Sequence, residues 1–209
     1  MAYTLANAIT EIRALINEDT PAFWSDDDIT EWIKQGCLDW SEKSLLHIAE
    51  DTITLVASQH QYTTSTSSHI GNAIRTIHAE YGDVALQRIT YEQLRGHNAA
   101  ALGSSKTPRY YFDLYDETVF TFYVNPTPSA TEASNNITCY FAKRTDDFTK
   151  IPYEYQPHIF LFAASKAKIR ERQYQEATIY YQQYINNITF ARQDSLQRGI
   201  TPTNSFRIQ

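Results

Sequence analysis

The chain has 209 residues, of which 42% are hydrophobic and 20% charged, with a formal net charge of -6. A chain of this length can bury a full core without disulfides or metals. No run approaches the roughly 18 consecutive apolar residues that a membrane-spanning helix needs, so no membrane partner is expected. Residues 1–50 carry a net charge of -7 and residues 151–209 carry +3. That positive segment is too weak for a nucleic-acid-binding surface, which is usually strongly basic.

Two further features indicate the cellular compartment. Cys37 and Cys139 lie in unrelated contexts without a CxxC pattern, so we expect buried thiols in a reducing environment. The first five residues have neither a basic region nor an apolar core, and therefore no secretory signal is predicted.

Two amphipathic helices are predicted in the first 50 residues. The first should end before Pro21, and its apolar residues recur at helical spacing: Leu5, Ile9, Ile12, Leu15 and Ile16. Ser25 can cap the second helix, whose opening aspartates lie where the helix dipole favours negative charge. Trp32 and Trp40 share a face of that helix, and Gly36 between them permits another helix to approach closely.

Residues 51–150 are predicted to be rich in β-structure. Strands are expected at 52–62, 73–80, 84–90, 109–115, 119–124 and 137–143. Loops are expected at 63–68, 96–108 and 126–136, with one helical turn at 91–95. Because the strands follow one another between helices, the order favours an α+β fold with a small antiparallel sheet over a parallel α/β sheet.

The last quarter has the clearest helical pattern. Ten residues recur at alternating steps of three and four and form one stripe: Phe160, Ala163, Ala167, Arg170, Tyr174, Ala177, Tyr181, Tyr184, Ile188 and Ala191. Pro157 suits a first helical turn, and Gly199 can end the helix. Unbroken, this helix would be about 60 Å long. It would then either kink and pack on its own domain or span between neighbouring molecules.

No constellation of side chains predicts catalysis or a bound metal. Asp26, Asp27 and Asp28 diverge around a helix and cannot converge on one ion, so a role at the helix start is expected. No two histidines are spaced i, i+4, and no HExxH occurs. Residues 96–106 lack the spacing of a phosphate loop, and there is no GxSxG nucleophile elbow. We therefore expect no catalytic residue, no metal and no cofactor.

Aromatic residues make up 13% of the chain, including 15 tyrosines. Tyrosine is enriched at protein interfaces because its ring is apolar and its hydroxyl polar. Four tyrosines cluster in the predicted C-terminal helix: Tyr174, Tyr180, Tyr181 and Tyr184. They pack either onto this chain's own sheet or between subunits, and the sequence leaves both interpretations open.

The order of these parts resembles the head–tail adaptor (connector, or neck) proteins of tailed bacteriophages, especially of short-tailed phages. Residues 24–36, WSDDDITEWIKQG, are similar to the capped second helix of such adaptors. Residues 151–167, IPYEYQPHIFLFAASKA, are similar to the Ile-Pro entry and the aromatic, alanine-rich turn that lead into their long helix. A β-rich middle with long polar loops lies between. The likeness covers nearly the whole chain.

The resemblance implies a structural virion protein at the head–tail interface, made in the host bacterial cytoplasm, with no enzymatic activity. Members of the adaptor group form a ring, usually dodecameric, beneath the portal and around a DNA channel. The implied partners are the portal ring, a tail tube or nozzle protein, further copies of the chain, and double-stranded DNA that passes without sequence-specific binding.

The resemblance also assigns parts of this chain. Residues 1–198 would form one adaptor domain, with a helical pair at 1–50, a β-rich insertion at 51–150 and the long helix at 151–198. That helix would supply the subunit contacts through Tyr174, Ala177, Tyr181, Tyr184 and Ile188. Residues 199–209 would be a tail that docks on the portal through Ile200, Pro202, Phe206, Arg207 and Ile208.

Two other functions are compatible with the composition. One is a small enzyme of an unrecognised α+β fold, which the missing nucleophile, base and metal set opposes. The other is a regulatory nucleic-acid-binding protein, which the acidity of the N-terminal helices opposes because phosphate contacts need Lys and Arg. Within the adaptor interpretation, the acidic excess of residues 1–50 suggests that some carboxylates face the channel and discourage DNA from adhering.

Overall fold

The structure is a computed structural model that describes residues 3–18, 23–63, 70–96, 106–116 and 119–197. It confirms the α+β class. The elements in chain order are α1 (Leu5–Ile16), α2 (Asp26–Ser44), β1 (Ile48–Thr54), β2 (Gln61–Thr63), β3 (Ala73–Tyr81), β4 (Val84–Ala85), β5 (Gln87–Arg88), α3 (Tyr91–Gly96), β6 (Tyr110–Asp116), β7 (Val119–Asn125), β8 (Asn136–Lys143), a 3-10 turn (Phe148–Lys150), α4 (Gln156–Arg170) and α5 (Tyr174–Gln197). The chain divides into a helical unit, Met1–His47 with Arg144–Gln209, and a β unit, Ile48–Lys143.

The two N-terminal helices begin and end as their capping residues dictate. Asn7 N–H donates to the Thr4 hydroxyl at the start of α1, and Asn17 ends that helix in the left-handed conformation, with φ 59°. The predicted cap at Ser25 is confirmed. Its hydroxyl accepts from Asp28 N–H, while the Asp28 carboxylate accepts from Ser25 N–H, which satisfies two helix-end donors reciprocally.

The core of the helical unit lies where α1, α2, α4 and α5 meet. Trp32 and Trp40 are both buried in it, on one face of α2 as predicted. The other buried side chains of this core come from every helix: Ala8, Ile12, Ile16, Ile29, Ile33, Cys37, Ile159, Phe160, Ala163, Ala167, Tyr184 and Ile188. No described helix has the length and apolar character that crossing a membrane requires.

Gly36 brings α2 and α4 into direct contact, as its position between the two tryptophans predicted. A Cβ atom at this position would lie 3.0 Å from Ile159 Cγ2 and 3.0 Å from Phe162 Cδ1. Such a contact is tighter than most Cβ atoms make, so a side chain at this position would force Ile159 and Phe162 to move by a few tenths of an ångström. The interhelical distance in this unit is therefore fixed by the absence of a side chain at Gly36.

Replacing Gly36 with leucine is expected to destabilise the helical unit by about 1–3 kcal/mol, because the added side chain must displace Ile159 and Phe162. All three tryptophans of the chain, at positions 24, 32 and 40, belong to this unit. Tryptophan fluorescence during urea unfolding therefore reports on it selectively. The control is Gln35→Leu, which adds the same side chain at an exposed neighbour. A Gly36→Leu midpoint equal to that of the control would contradict close packing at this contact.

The stretch predicted as helical from Pro157 onward consists of two helices rather than one unbroken helix, and of the two alternatives it breaks and packs on its own unit. α4 ends at Arg170, α5 starts at Tyr174, and Arg172 between them has φ 64°. Three backbone N–H groups of the connection bond back to α4, including Gln173 N–H to Lys168 O at 2.9 Å. The 24-residue α5 is the long C-terminal helix, and it folds back on α4. The predicted stop at Gly199 lies outside the described residues.

The described residues of the β unit form two four-stranded sheets rather than one small sheet. Their strand orders are β1-β8-β3-β4 and β2-β7-β6-β5, and every pair is antiparallel except β5 with β6. The strand predicted at 52–62 divides into β1 and β2, because the chain turns at Ser58, which has φ 63°. The strand predicted at 84–90 similarly divides into β4 and β5. Local alternation continued across both breaks, so the sequence pattern did not reveal them.

The inner faces of the two sheets pack on each other. Phe141 on β8 makes edge-to-face contacts with Phe120 and Phe122 on β7, at centroid distances of 5.7 and 6.1 Å. Asp113 adds a polar tie, since its carboxylate pairs with Arg88 at 2.6 Å and accepts from Thr76 N–H at 3.0 Å. β3 pairs with β4 and β6 with β7, both antiparallel, and the helical turn predicted at 91–95 is present as α3.

Candidate assembly surfaces

Two of the three consecutive aspartates at the start of α2, Asp26 and Asp28, have structural contacts. Asp28 completes the capping box, and its carboxylate lies 3.6 Å from the Arg170 guanidinium. Asp26 pairs with Arg13 at 2.6 Å. Hydrogen bonds from Ser25 hold the pKa of Asp28 below its usual range. Among the described residues, no group of three or more His, Cys, Asp or Glu side chains could hold a metal ion.

Both cysteines are buried thiols. Burial, together with the charges of Asp147 and Asp146, raises the pKa of Cys37 to about 12. Burial also raises the pKa of Cys139, which lies in the core between the two sheets. A thiol must ionise to act as a nucleophile or a metal ligand. These two side chains therefore act as small apolar core residues.

The inner face of α5 contributes to the core of its own unit. It includes three of the five residues predicted to contact neighbouring subunits: Ala177, Tyr184 and Ile188. The Tyr184 ring packs on Phe162 at 5.2 Å, and its hydroxyl donates to the Asp39 carboxylate at 2.7 Å. Burial and this bond raise the pKa of Tyr184. All three side chains are buried, and Tyr184 contacts both α2 and α4.

The other two predicted contact residues, Tyr174 and Tyr181, are 63% and 37% exposed. Tyr174 is the first residue of α5, and Tyr181 lies beside Lys43 of α2. Of the five, only these two present substantial side-chain surface to a neighbour. A subunit-contact role for the five residues stays a prediction.

The outer face of α5 has an unusual composition. Ile179 and Phe190 are 57% and 67% exposed and, at 100° per residue, lie within about 20° of each other on the helix. Exposed amides lie between them: Gln182, Gln183 and Asn186. From Ala177 to Ala191, 15 consecutive residues include no charged side chain, whereas 20% of the whole chain is charged. We call this surface, Ile179 to Phe190 on the exposed side of α5, the outer face.

The start of α5 is held in place by a buried lysine. Lys168 is almost fully buried near the end of α4, and its ammonium group lies 3.0 Å from Glu171 and 3.6 Å from Glu176. It also donates to Ile16 O at 3.4 Å. The Trp24 indole N–H donates to Glu171 at 3.2 Å. These contacts join the ends of α1 and α4 to the start of α5, and so they fix the direction in which the outer face points.

Sequence reasoning placed the subunit contacts on the stripe of apolar residues and did not single out Ile179 and Phe190. Most of that stripe is buried in the chain's own core, whereas Arg170, Tyr174 and Tyr181 are exposed. The pattern that distinguishes the outer face is the combination of large apolar residues outside the stripe with a long run of uncharged residues. The predicted portal-docking residues, from Ile200 to Ile208, lie outside the described residues.

The family model described as SU10 adaptor protein matches residues 3–205. No curated protein matches the chain. The match includes both units and all the described helices and strands. The chain therefore belongs to the SU10 adaptor protein family, whose members are structural phage head–tail adaptors rather than enzymes.

Proposed function

We propose that this protein forms a homo-oligomeric ring beneath the phage portal, most simply a dodecamer, and joins the head to the tail. Its partners are then the portal ring on one side and a tail tube or nozzle protein on the other. The ring encloses a channel through which double-stranded DNA passes. Family membership supports the adaptor role, and the surface of α5 supports self-association.

The outer face of α5 is the observation that carries this proposal. An isolated exposed Ile or Phe is ordinary on a protein surface. Two large apolar residues on one exposed helix face, within a run of 15 uncharged residues, match the composition of interface cores, which are depleted in charge. The amides between them can form hydrogen bonds across a contact without leaving a charge buried. A neighbouring subunit would remove the apolar surface from water.

Some carboxylates of the helical unit would face the DNA channel in such a ring. The outer surface of α2 has exposed acids at Asp27, Glu31 and Glu42, together with Lys34. Negative charge repels the phosphate backbone and limits adhesion of passing DNA. Residues 199–209 would dock on the portal, with Ile200, Phe206 and Ile208 as apolar anchors. Ordering such a segment on a partner costs conformational entropy, which the burial of these anchors offsets.

The direct test is co-elution of this protein with the portal ring of its parent phage, followed by electron microscopy of the complex. A stoichiometric ring that matches the portal symmetry is expected, with residues 199–209 against the portal. A compact monomer that remains unbound at high concentration would contradict the proposal. Mass photometry of the free protein shows separately whether self-association needs the portal as a template.

The double substitution Ile179→Glu with Phe190→Glu is expected to reduce ring assembly on the portal at least tenfold. Both positions are exposed and glutamate is a good helix former, so stability should change by no more than about 0.5 kcal/mol. The matched control is Val84→Glu, because Val84 in the β unit is 67% exposed, as Phe190 is. Ring yield is counted in negative-stain images and folding is checked by circular dichroism. Normal rings from the double variant would exclude the outer face as the subunit contact.

A further inference from the structure

The β unit contains an open cavity of about 570 Å³. It lies where β6 begins and β7 ends, between the residues before β6 and the segment after β7. This volume lies in the range of protein ligand sites, roughly 300–1,000 Å³. The residues that line it include Lys106, Thr107, Arg109, Tyr110 and Glu132. Nothing in the adaptor role derived above uses this cavity.

The two cationic residues of the cavity, Lys106 and Arg109, are held by backbone hydrogen bonds. Lys106 N–H donates to Thr127 O at 2.9 Å, and Arg109 N–H donates to Asn125 O at 3.0 Å. The first bond lies beyond the ends of β6 and β7, and the second joins the residue before β6 to the last residue of β7. Residues 106–109 belong to no strand, but these bonds hold their backbone in place. The side chains of Lys106 and Arg109 are both exposed.

The charges around the cavity are not balanced locally. The one lining carboxylate, Glu132, accepts hydrogen bonds from neutral groups: the Tyr81 hydroxyl, the Thr107 hydroxyl at 2.8 Å and the Asn135 amide at 3.5 Å. Lys106 and Arg109 form no ion pair with any residue that the structure describes. The cavity thus offers two unpaired cations together with hydroxyl groups, a combination suited to a bidentate anionic group such as a carboxylate.

We propose that this cavity binds a carboxylate side chain from a neighbouring copy of this chain, supplied by the exposed acids of α2. This inference rests on the proposed ring. The argument is charge complementarity: residues 1–50 carry a net charge of -7, and Asp27 and Glu31 lie one helical turn apart on the exposed side of α2. Passing DNA is a poorer occupant, because the chain as a whole carries -6 and two cations are few for phosphate binding.

The symmetry of this contact agrees with a ring. The cavity and the acids are different surfaces of one chain, so the contact is heterologous. Heterologous contacts close into rings when the rotation between neighbours permits, whereas a contact of one surface with itself closes at a dimer. The outer face of α5 and the cavity would therefore act together, the first through apolar burial and the second by setting which neighbouring surface is accepted.

The first arm of the test uses rings assembled on the portal from an equal mixture of ¹⁴N- and ¹⁵N-labelled protein. A carbodiimide joins an amine to a carboxylate without a spacer, and mass spectrometry identifies the products. We expect Lys106 to be joined to Asp27 or Glu31 in peptides that combine the two labels. We also expect Lys106→Gln with Arg109→Gln to lower ring yield at least fivefold, and Lys150→Gln with Arg172→Gln, which removes two exposed cations elsewhere, to leave it unchanged.

The second arm uses the free protein and does not depend on ring formation. Hexaglutamate is titrated into ¹⁵N-labelled protein, and a short DNA duplex is titrated in parallel. We expect saturable shifts of the amide signals of residues 106–110 and 129–132 with hexaglutamate, which Lys106→Gln with Arg109→Gln abolishes.

The outcomes separate the two proposals. If no rings form while hexaglutamate binds, the proposed ring is overturned. The proposal that a neighbouring copy supplies the carboxylate is then overturned as well. Rings that form normally from the neutralised variant, or Lys106 links confined to single-label peptides, would overturn the cavity proposal alone. So would the absence of hexaglutamate binding or equal binding of the duplex, the latter because it identifies a phosphate site.

Discussion

Replacing Trp32 with alanine is expected to cost the helical unit about 3–5 kcal/mol, the range for truncating a large buried aromatic residue. Trp32 is 2% exposed and lies at the contact of α2 with the core. Its ring packs edge to face on Trp24 at 5.0 Å, and the Arg170 guanidinium lies 5.1 Å from its centroid. Alanine removes the buried ring, leaves a cavity beside Trp24 and deprives Arg170 of the nearer of its two cation–π partners.

Urea unfolding followed by the fluorescence of Trp24 and Trp40 measures this loss. The control is Leu38→Ala on the exposed side of the same helix, where a change of no more than about 0.5 kcal/mol is expected. A Trp32→Phe variant should recover part of the loss, since phenylalanine retains much of the apolar volume. A Trp32→Ala midpoint indistinguishable from that of Leu38→Ala would mean that Trp32 is not part of a packed core.

The second large effect is expected at Arg13, which is buried at the end of α1. Its guanidinium donates to Trp24 O at 2.8 Å and to Asp26 at 2.6 Å, and it lies 3.3 Å from the largely buried Glu18 carboxylate. Glu18 in turn accepts from the N–H groups of Phe23 and Trp24. Arg13→Met leaves the Glu18 and Asp26 carboxylates and the Trp24 carbonyl without their cationic donor, and the loss of one partner from a buried pair typically costs about 3–5 kcal/mol.

The matched control for Arg13→Met is Lys150→Met, which removes a cation from the exposed pair with Asp147, 4.0 Å apart. Exposed pairs contribute about 0–1 kcal/mol, so this variant should unfold close to the wild type. Adding Glu18→Gln to Arg13→Met should restore stability in part, because a neutral amide is less costly to leave without the guanidinium. Equal losses for Arg13→Met and Lys150→Met would show that solvent screens the Arg13 network as it screens a surface pair.

The sequence predicted the parts of this fold whose causes are local. Ser25 caps α2 because a hydroxyl followed three residues later by a carboxylate satisfies helix-end donors in almost any context. Gly36 between two tryptophans indicated a close helix contact, and its neighbours on α4 confirm it. Alternating residues located the cores of β6, β7 and β8.

The features that escaped prediction depend on distant residues. No glycine or proline marks the break between α4 and α5, and the apolar periodicity continues through it. The connection is stabilised by Trp24 and Ile16, which contact Glu171 and Lys168 from about 150 positions earlier in the chain. The division of the β-region into two sheets likewise follows from pairing partners that no local window contains. For α5, periodicity identified an apolar face but could not assign it to the core or to an interface.

The helical unit is built from two segments that are far apart in the sequence, and this has a consequence for biosynthesis. α1 and α2 leave the ribosome first, yet α4, which covers Trp32 and Gly36, begins at Gln156. At about 5–20 residues per second, the nascent helices wait roughly 6–22 s for that partner. The β unit is continuous in sequence and completes its last strand at Lys143, before α4 has been made. Translation order and folding order are thus inverted, and the apolar faces of α1 and α2 are the surfaces that a chaperone would meet during the interval.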